Sequence, residues 1–138
     1  MGRILAIDYG SKRVGLAVTD PLRLIAGGLD TLHSKDLMAF LKTYTTKEKV
    51  DVIVVGEPKT LMNEKSTSAR FIEPFVKQLE KTFPEIKIDR YDERFTSRMA
   101  MQSMIEGGLK KKDRQNKETV DQVSAIIILQ DYMRAKGI

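Results

Sequence analysis

The chain has 138 residues, 41% of them hydrophobic and 31% charged, with no cysteine, one histidine and a formal net charge of +5. A chain of this length buries roughly 70% of its extended surface, so it can fold around one core without disulfides or a structural metal. The composition excludes a disulfide framework, a thiolate metal site and a cysteine nucleophile, and His33 alone cannot furnish a His-rich zinc centre. Apolar runs such as Ala125 to Leu129 are far short of the ~20 residues of a bilayer span, so no membrane partner is expected. The first residues reach Asp8 too soon for a signal peptide. The positive charge is concentrated: Lys110, Lys111, Lys112, Arg114 and Lys117 surround the single acid Asp113, which leaves the rest of the chain near neutral. A near-neutral body with one basic loop fits contact with a polyanion. The same run, having no apolar anchor, is expected to be disordered in the absence of nucleic acid.

Arg3 to Tyr9 is apolar on both faces, the pattern of a central strand covered on each side, with Asp8 as the exception inside it. Gly10 suits a tight reversal, and Val14 to Thr19 completes a hairpin. Leu24 to Leu32 reads as a third strand weakened by Gly27 and Gly28. Ser34 is the expected cap of a helix to about Lys47, with Leu37, Phe40, Leu41 and Tyr44 at helical spacing. Val50 to Val55 is a second buried strand, ended by Gly56 and Pro58. After a polar segment from Lys59 to Ser66, a helix carries Phe71, Ile72, Phe75, Val76 and Leu79 on one face, and Pro74 predicts a bend or a shortened start. Ile86 to Tyr91 is a short strand with Asp92-Glu93-Arg94 at its end. Thr96 can cap a helix that Gly107-Gly108 stops, and Thr119 with Gln122 fits a capping box for a last helix to about Arg134. The order β-β-β-α-β-α-β-α-α predicts one α/β domain over 1–138, a mixed sheet flanked by helices.

Three acidic positions carry the chemistry. A carboxylate in a buried strand is costly unless it is paired or binds a metal, which singles out Asp8, although an aspartate capping the Gly10 turn would also explain it. Asp92-Glu93-Arg94 places an acid at a strand end, where ligands gather in α/β sheets; a solvated acidic turn with the arginine in a surface pair is the plainer alternative. Asp121 suits the helix macrodipole without further role, yet it shares a side of its helix with Ser124, Ala125 and Ile128. Taken together, three carboxylates without His or Cys suit a hard cation such as Mg²⁺ or Mn²⁺. Two such ions about 4 Å apart activate water and stabilise the leaving oxygen in phosphodiester cleavage.

The segments Ile7-Asp8-Tyr9-Gly10-Ser11-Lys12-Arg13-Val14-Gly15, Asp92-Glu93-Arg94-Phe95-Thr96-Ser97 and Val120-Asp121-Gln122-Val123-Ser124-Ala125 resemble, in order and spacing, those of the YqgF (RuvX) family. These are small bacterial proteins with an RNase H-like fold, related to RuvC-type Holliday junction resolvases. The resemblance spans essentially the whole chain. It implies an RNase H-like mixed five-stranded sheet and a cytoplasmic, divalent-metal nuclease that trims the 5′ end of pre-16S ribosomal RNA in ribosomal precursor particles. The implied acidic site is Asp8, Glu93 and Asp121. Where the family usually reads Val-Gly-Leu-Pro, this chain has Val55-Gly56-Glu57-Pro58, which makes Glu57 a further metal candidate, against the plainer reading of a solvated loop residue. Met62-Asn63-Glu64 departs from the family's usual glycine after the acid or amide. Lys12, Arg13, Lys59, Arg94 and the basic run Lys110, Lys111, Lys112, Arg114 and Lys117 are the nucleic-acid-binding candidates, with Tyr9 and Tyr91 expected to pack beside the site.

Other classes remain alongside. Cleavage of branched DNA would keep the chemistry and require two coordinated cuts, for which no dimer surface is readable. A non-catalytic RNA-binding assembly factor would bind RNA in a salt-sensitive way without cutting it. Actin-like ATPases share a strand followed by Asp-x-Gly, but 138 residues are too few for their two lobes.

Overall fold

The computed structural model describes residues 2–9, 13–57, 69–92 and 117–137, with the backbone alone described at Glu57, 69–71, Asp92 and 117–121. The predicted Gly10 turn, the 59–66 segment, the helix after Thr96 and the basic run from Lys110 to Arg114 lie outside these residues. Strands β1 (Arg3–Tyr9), β2 (Arg13–Thr19) and β3 (Ala26–His33) form an antiparallel meander. A 3-10 turn at Ser34–Asp36 leads into α1 (Leu37–Lys47), then β4 (Val50–Glu57), α2 (Ala69–Thr82), β5 (Lys87–Asp92) and α3 (Lys117–Lys136). The sheet order is β3-β2-β1-β4-β5, with β4 parallel to both β1 and β5. This is the five-stranded mixed sheet expected from the sequence.

Strand alternation sorts the apolar residues into two layers. On one face, Leu5, Ile7, Val14, Leu16, Ile53 and Val55 form a buried cluster with Leu37 and Leu41 of α1 and Ile72, Phe75, Val76 and Leu79 of α2. On the other, Ile4, Ala6, Ala17 and Val54 cluster with Ala125, Ile128, Leu129, Tyr132 and Met133 of α3. Residues Ile4 to Ile7 are fully buried, which is why β1 reads as apolar on both faces.

Local chemistry at four places bears on these expectations. Ser34 does not cap α1; the Nδ1 of His33 accepts the Lys35 amide at 3.1 Å and starts a 3-10 turn that runs into the helix. Pro74 is the sixth residue of α2, and the helix continues across it to Thr82 although the ring removes the amide that would have met the Arg70 carbonyl. Thr119 is the third residue of α3 rather than its cap, and Lys117 belongs to that helix rather than to a loop. Gly28 lies inside β3, as expected at an irregular place: the ladder to β2 shifts register between Leu16 and Ala17, and a Cβ at 28 would stand 2.9 Å from Oε1 of Gln122, so the glycine admits α3.

The amino end of β1 is tied down by polar contacts. The Gly2 amide donates to Oδ2 of Asp51 at 2.8 Å, and Arg23 donates to the same oxygen at 2.9 Å and to the Gly2 carbonyl at 2.9 Å. Arg23 holds a positive φ of 57° to make this contact.

Candidate active site

Because β1, β4 and β5 are mutually parallel, their carboxyl ends fall on one edge of the sheet, and β2 begins at that edge with Arg13. Asp8 is the penultimate residue of β1. It has the parity of Ile4 and Ala6, so its half-buried carboxylate belongs to the layer covered by α3. Its partner across the ladder is Gly15, and Gly56 follows Val55, the β4 partner of Ile7. Both glycines are buried, and neither brings a side chain to the strand positions beside Asp8. The sequence contains this signal in Gly15 and Gly56, but only the strand pairing reveals that they flank one carboxylate.

The other acids are placed less completely. Glu93 follows the last residue of β5 and lies outside the described residues. Asp121 is the fifth residue of α3, one turn before buried Ala125. Glu57 ends β4 opposite Asp92, and its position has the parity of Ile53 and Val55, which pack on the α1/α2 layer. Among the described residues no three acidic, His or Cys side chains converge as a metal centre would require.

Of the basic candidates, Arg13 is exposed at the site's edge and Lys117 opens α3, while Lys12, Lys59, Arg94, Lys110, Lys111, Lys112 and Arg114 lie outside the described residues. Tyr9 corrects an expectation: alternation turns it away from Asp8, and its ring stacks on Phe75 of α2 at 4.5 Å. Burial there raises the phenol above its ordinary value. Tyr91 packs against the α3 layer.

No pattern in the sequence announces the contacts between β5 and α3. The Tyr91 hydroxyl donates to Oδ2 of Asp131 at 2.8 Å, and the Tyr132 hydroxyl donates to Oδ2 of Asp89 at 2.9 Å. Each element thus supplies one tyrosine and one aspartate. Burial, and then the bond to Asp89 and its charge, push the Tyr132 phenol up to about 12. Burial alone would raise the Asp89 carboxyl, but the Tyr132 hydroxyl, the Arg90 amide and the Lys136 and Lys87 ammoniums outweigh it and hold it below its ordinary value. Aspartates at 89 and 131 are legible only as surface charges until the helix is laid on the strand.

A family model described as RuvX, Holliday junction resolvase, matches residues 2–135. The chain belongs to the RuvX family. A relative in Flavobacterium psychrophilum, named "Putative pre-16S rRNA nuclease", is 55% identical over 136 residues, covering 99% of each protein. One of the same name in Bacteroides thetaiotaomicron is 54% identical over 136 residues, again covering 99% of each. Among solved structures, the fowlpox virus resolvase in complex with Holliday junction DNA superposes with a TM-score of 0.61 at 12% identity, covering 97% of this chain and 98% of that one. T. thermophilus RuvC in complex with Holliday junction substrate gives 0.59 at 15% identity, covering 99% and 97%. At such identities the likeness is one of fold, and it makes the RuvX sheet an RNase H-like one. Among the described residues of this RuvX protein, no helix is long and apolar enough to cross a membrane.

Proposed function

We propose that this RuvX-family chain is a metal-dependent nuclease that processes the 5′ end of pre-16S ribosomal RNA in the cytoplasm, acting on RNA held in ribosomal precursor particles. Its acidic site is Asp8, Glu93 and Asp121, within one RNase H-like domain. The observation that carries the reading is Asp8 itself, a half-buried carboxylate in the α3 layer, between glycine positions, at the edge where three parallel strands end. The full-length likeness to relatives named for pre-16S rRNA supports the choice of substrate.

The donor chemistry fits a hard divalent ion. The candidates are carboxylates, the single histidine is engaged in its own turn through Nδ1, and the strand neighbours of Asp8 are glycines that bring no competing side chain. Asp8, Glu93 and Asp121 would hold Mg²⁺ or Mn²⁺, which supplies charge neutralisation and water activation for phosphodiester hydrolysis. Asp8 stands at the end of a fully buried run, so packing fixes the backbone that carries its carboxylate. Arg13 at the same edge meets phosphate oxygens and orients the backbone, and Lys12, Lys59, Arg94 and the basic run including Lys117 extend that contact. Glu57, which ends β4 opposite Asp92, is the further metal candidate: a Glu57→Gln protein with altered metal dependence of cleavage would bring it into the ligand set, and unchanged dependence would leave it out.

The test is cleavage of 5′-extended ribosomal RNA precursor and of a four-way DNA junction by wild type and Asp8→Asn, with Mn²⁺ or Mg²⁺ and with chelator. The expected result is RNA cutting that needs metal and falls on the order of a thousandfold or more in Asp8→Asn. Cutting of the junction alone would make the protein a resolvase. Salt-sensitive RNA binding without cutting would make it an assembly factor.

A further inference from the structure

The strand that leads to Glu93 is held by the sheet on one side, with Ile88 packed on the α1/α2 cluster. Among the described strands β5 pairs only with β4, it has six residues, and none of Lys87 to Tyr91 is buried. A strand with one ladder depends on side chains for its position. Three consecutive residues supply them. Asp89 accepts from Tyr132 of α3 at 2.9 Å, the Arg90 guanidinium donates to Oε1 of Glu73 in α2 at 2.7 Å, and Tyr91 donates to Asp131 of α3 at 2.8 Å. The last of these tethers sits two residues before Glu93. Both α3 partners belong to the helix that carries Asp121.

We propose that Tyr91 and Tyr132, with Asp131 and Asp89, form a crossed pair of positioning residues that sets the end of β5, the strand that leads to Glu93, against α3, the helix whose sequence carries Asp121. The inference rests on the acidic site proposed above. The geometry gives the pair an orientational role that one contact would lack. Two bonds of opposite polarity, tyrosine on the strand to aspartate on the helix and the reverse, resist both sliding of α3 along β5 and rolling of the helix about its axis. Neither aspartate is left uncompensated: Asp131 pairs with Arg134 at 3.3 Å, and Asp89 lies 3.9 Å from Lys136 and 4.0 Å from Lys87. The tyrosines are therefore not required to neutralise buried charge, and their hydroxyls act through direction. Apolar packing of α3 reaches from β2 through β1 and β4 to the Tyr91 ring at the edge strand, but such contacts are non-directional, and the two hydroxyl bonds are what add direction at that edge. Groups that orient metal ligands through intermediates change affinity without touching the ion.

The experiment measures Mn²⁺ binding to the full chain, without nucleic acid, by titration calorimetry and by the free-ion paramagnetic resonance signal. The proteins are wild type, Asp8→Asn, Tyr91→Phe, Tyr132→Phe, the double tyrosine variant and Asp51→Asn. The last removes a polar tether at the opposite edge and serves as the control for destabilisation. All are measured well below their melting temperatures. Wild-type binding that Asp8→Asn abolishes is expected, with each tyrosine variant weaker by roughly threefold to tenfold and the double variant weaker still. Asp51→Asn should bind as wild type does. In cleavage the tyrosine variants should lose kcat with KM within about twofold. Tyrosine variants that melt earlier yet bind Mn²⁺ as wild type does would overturn the proposal and leave the pair a purely structural contact. Wild type without Asp8-dependent binding would overturn the acidic site itself, and this inference with it.

Discussion

Strands β1 and β5 lead to two of the three proposed acids, and they are built on opposite plans. In β1 the carboxylate stands near the end of a strand that has a ladder on each side, and the run from Ile4 to Ile7 before it is fully buried. In β5 one ladder supports six residues, Lys87 is exposed, and the strand is fastened by Asp89, Arg90 and Tyr91 to helices on both faces. The first plan fixes a charge by non-directional packing, which tolerates no cavity. The second fixes it by a few directed bonds, each of which can be removed without emptying the core. A site assembled from both should respond to mutation in two distinguishable ways.

The largest effect on stability is expected in β1. Ile7→Ala removes a fully buried side chain beside Asp8 and should lower the unfolding free energy by about 2–5 kcal/mol in urea denaturation. Because Ile7 packs on the α1/α2 layer while Asp8 belongs to the α3 layer, folded protein should retain metal binding within a small factor. A large loss of binding in the folded variant would show that the two layers are coupled through β1.

In β5 the expected loss is smaller. Tyr132→Phe removes one bond to a carboxylate and should cost about 1.5 kcal/mol by the same measurement. Hydrogen exchange sharpens the contrast. Amides of β1 should exchange only through global unfolding, whereas those of β5 should open locally, and faster in the Tyr91→Phe protein. Equal protection of the two strands would erase the difference between the plans.

How far the sequence reaches follows the same division. The boundaries of β1 and the apolar faces of α1 and α2 are legible because burial imposes period 2 or 3.6 on residue type. Asp8 stands out because it breaks such a pattern. The crossed tyrosines and aspartates do not, since their spacing on β5 and α3 has no meaning until the helix lies on the strand. Helix starts are hard to read for a related reason. Whether His33 or Ser34 offers the capping acceptor depends on the last residue of β3, and both residue types are compatible with a helix start. Tyr9 adjoins Asp8 in sequence but faces away from it, since neighbours in a strand point to opposite layers.

The smallest effect concerns how β1 begins. Asp51 accepts the Gly2 amide and the Arg23 guanidinium, and a Cβ at position 2 would stand 2.5 Å from its Oδ1. The Gly2 amide is the chief reason its carboxyl lies below the ordinary value; burial opposes the shift, and the Lys49 and Arg23 charges add to it. A carboxyl whose value is depressed in the folded state binds its proton more readily when unfolded. Its contribution is therefore complete above the ordinary carboxylate range and lost as pH falls from about 4 through the folded value. Melting temperatures of wild type and Asp51→Asn should differ modestly at neutral pH and converge in acid, the carboxylate being partly exposed and its ion pair screened. A gap that persists undiminished at about pH 2.5, below the ordinary carboxylate range, would mean that Asp51 acts through the shape of the Gly2 contact rather than its charge, and β1 would then be held by packing at both ends.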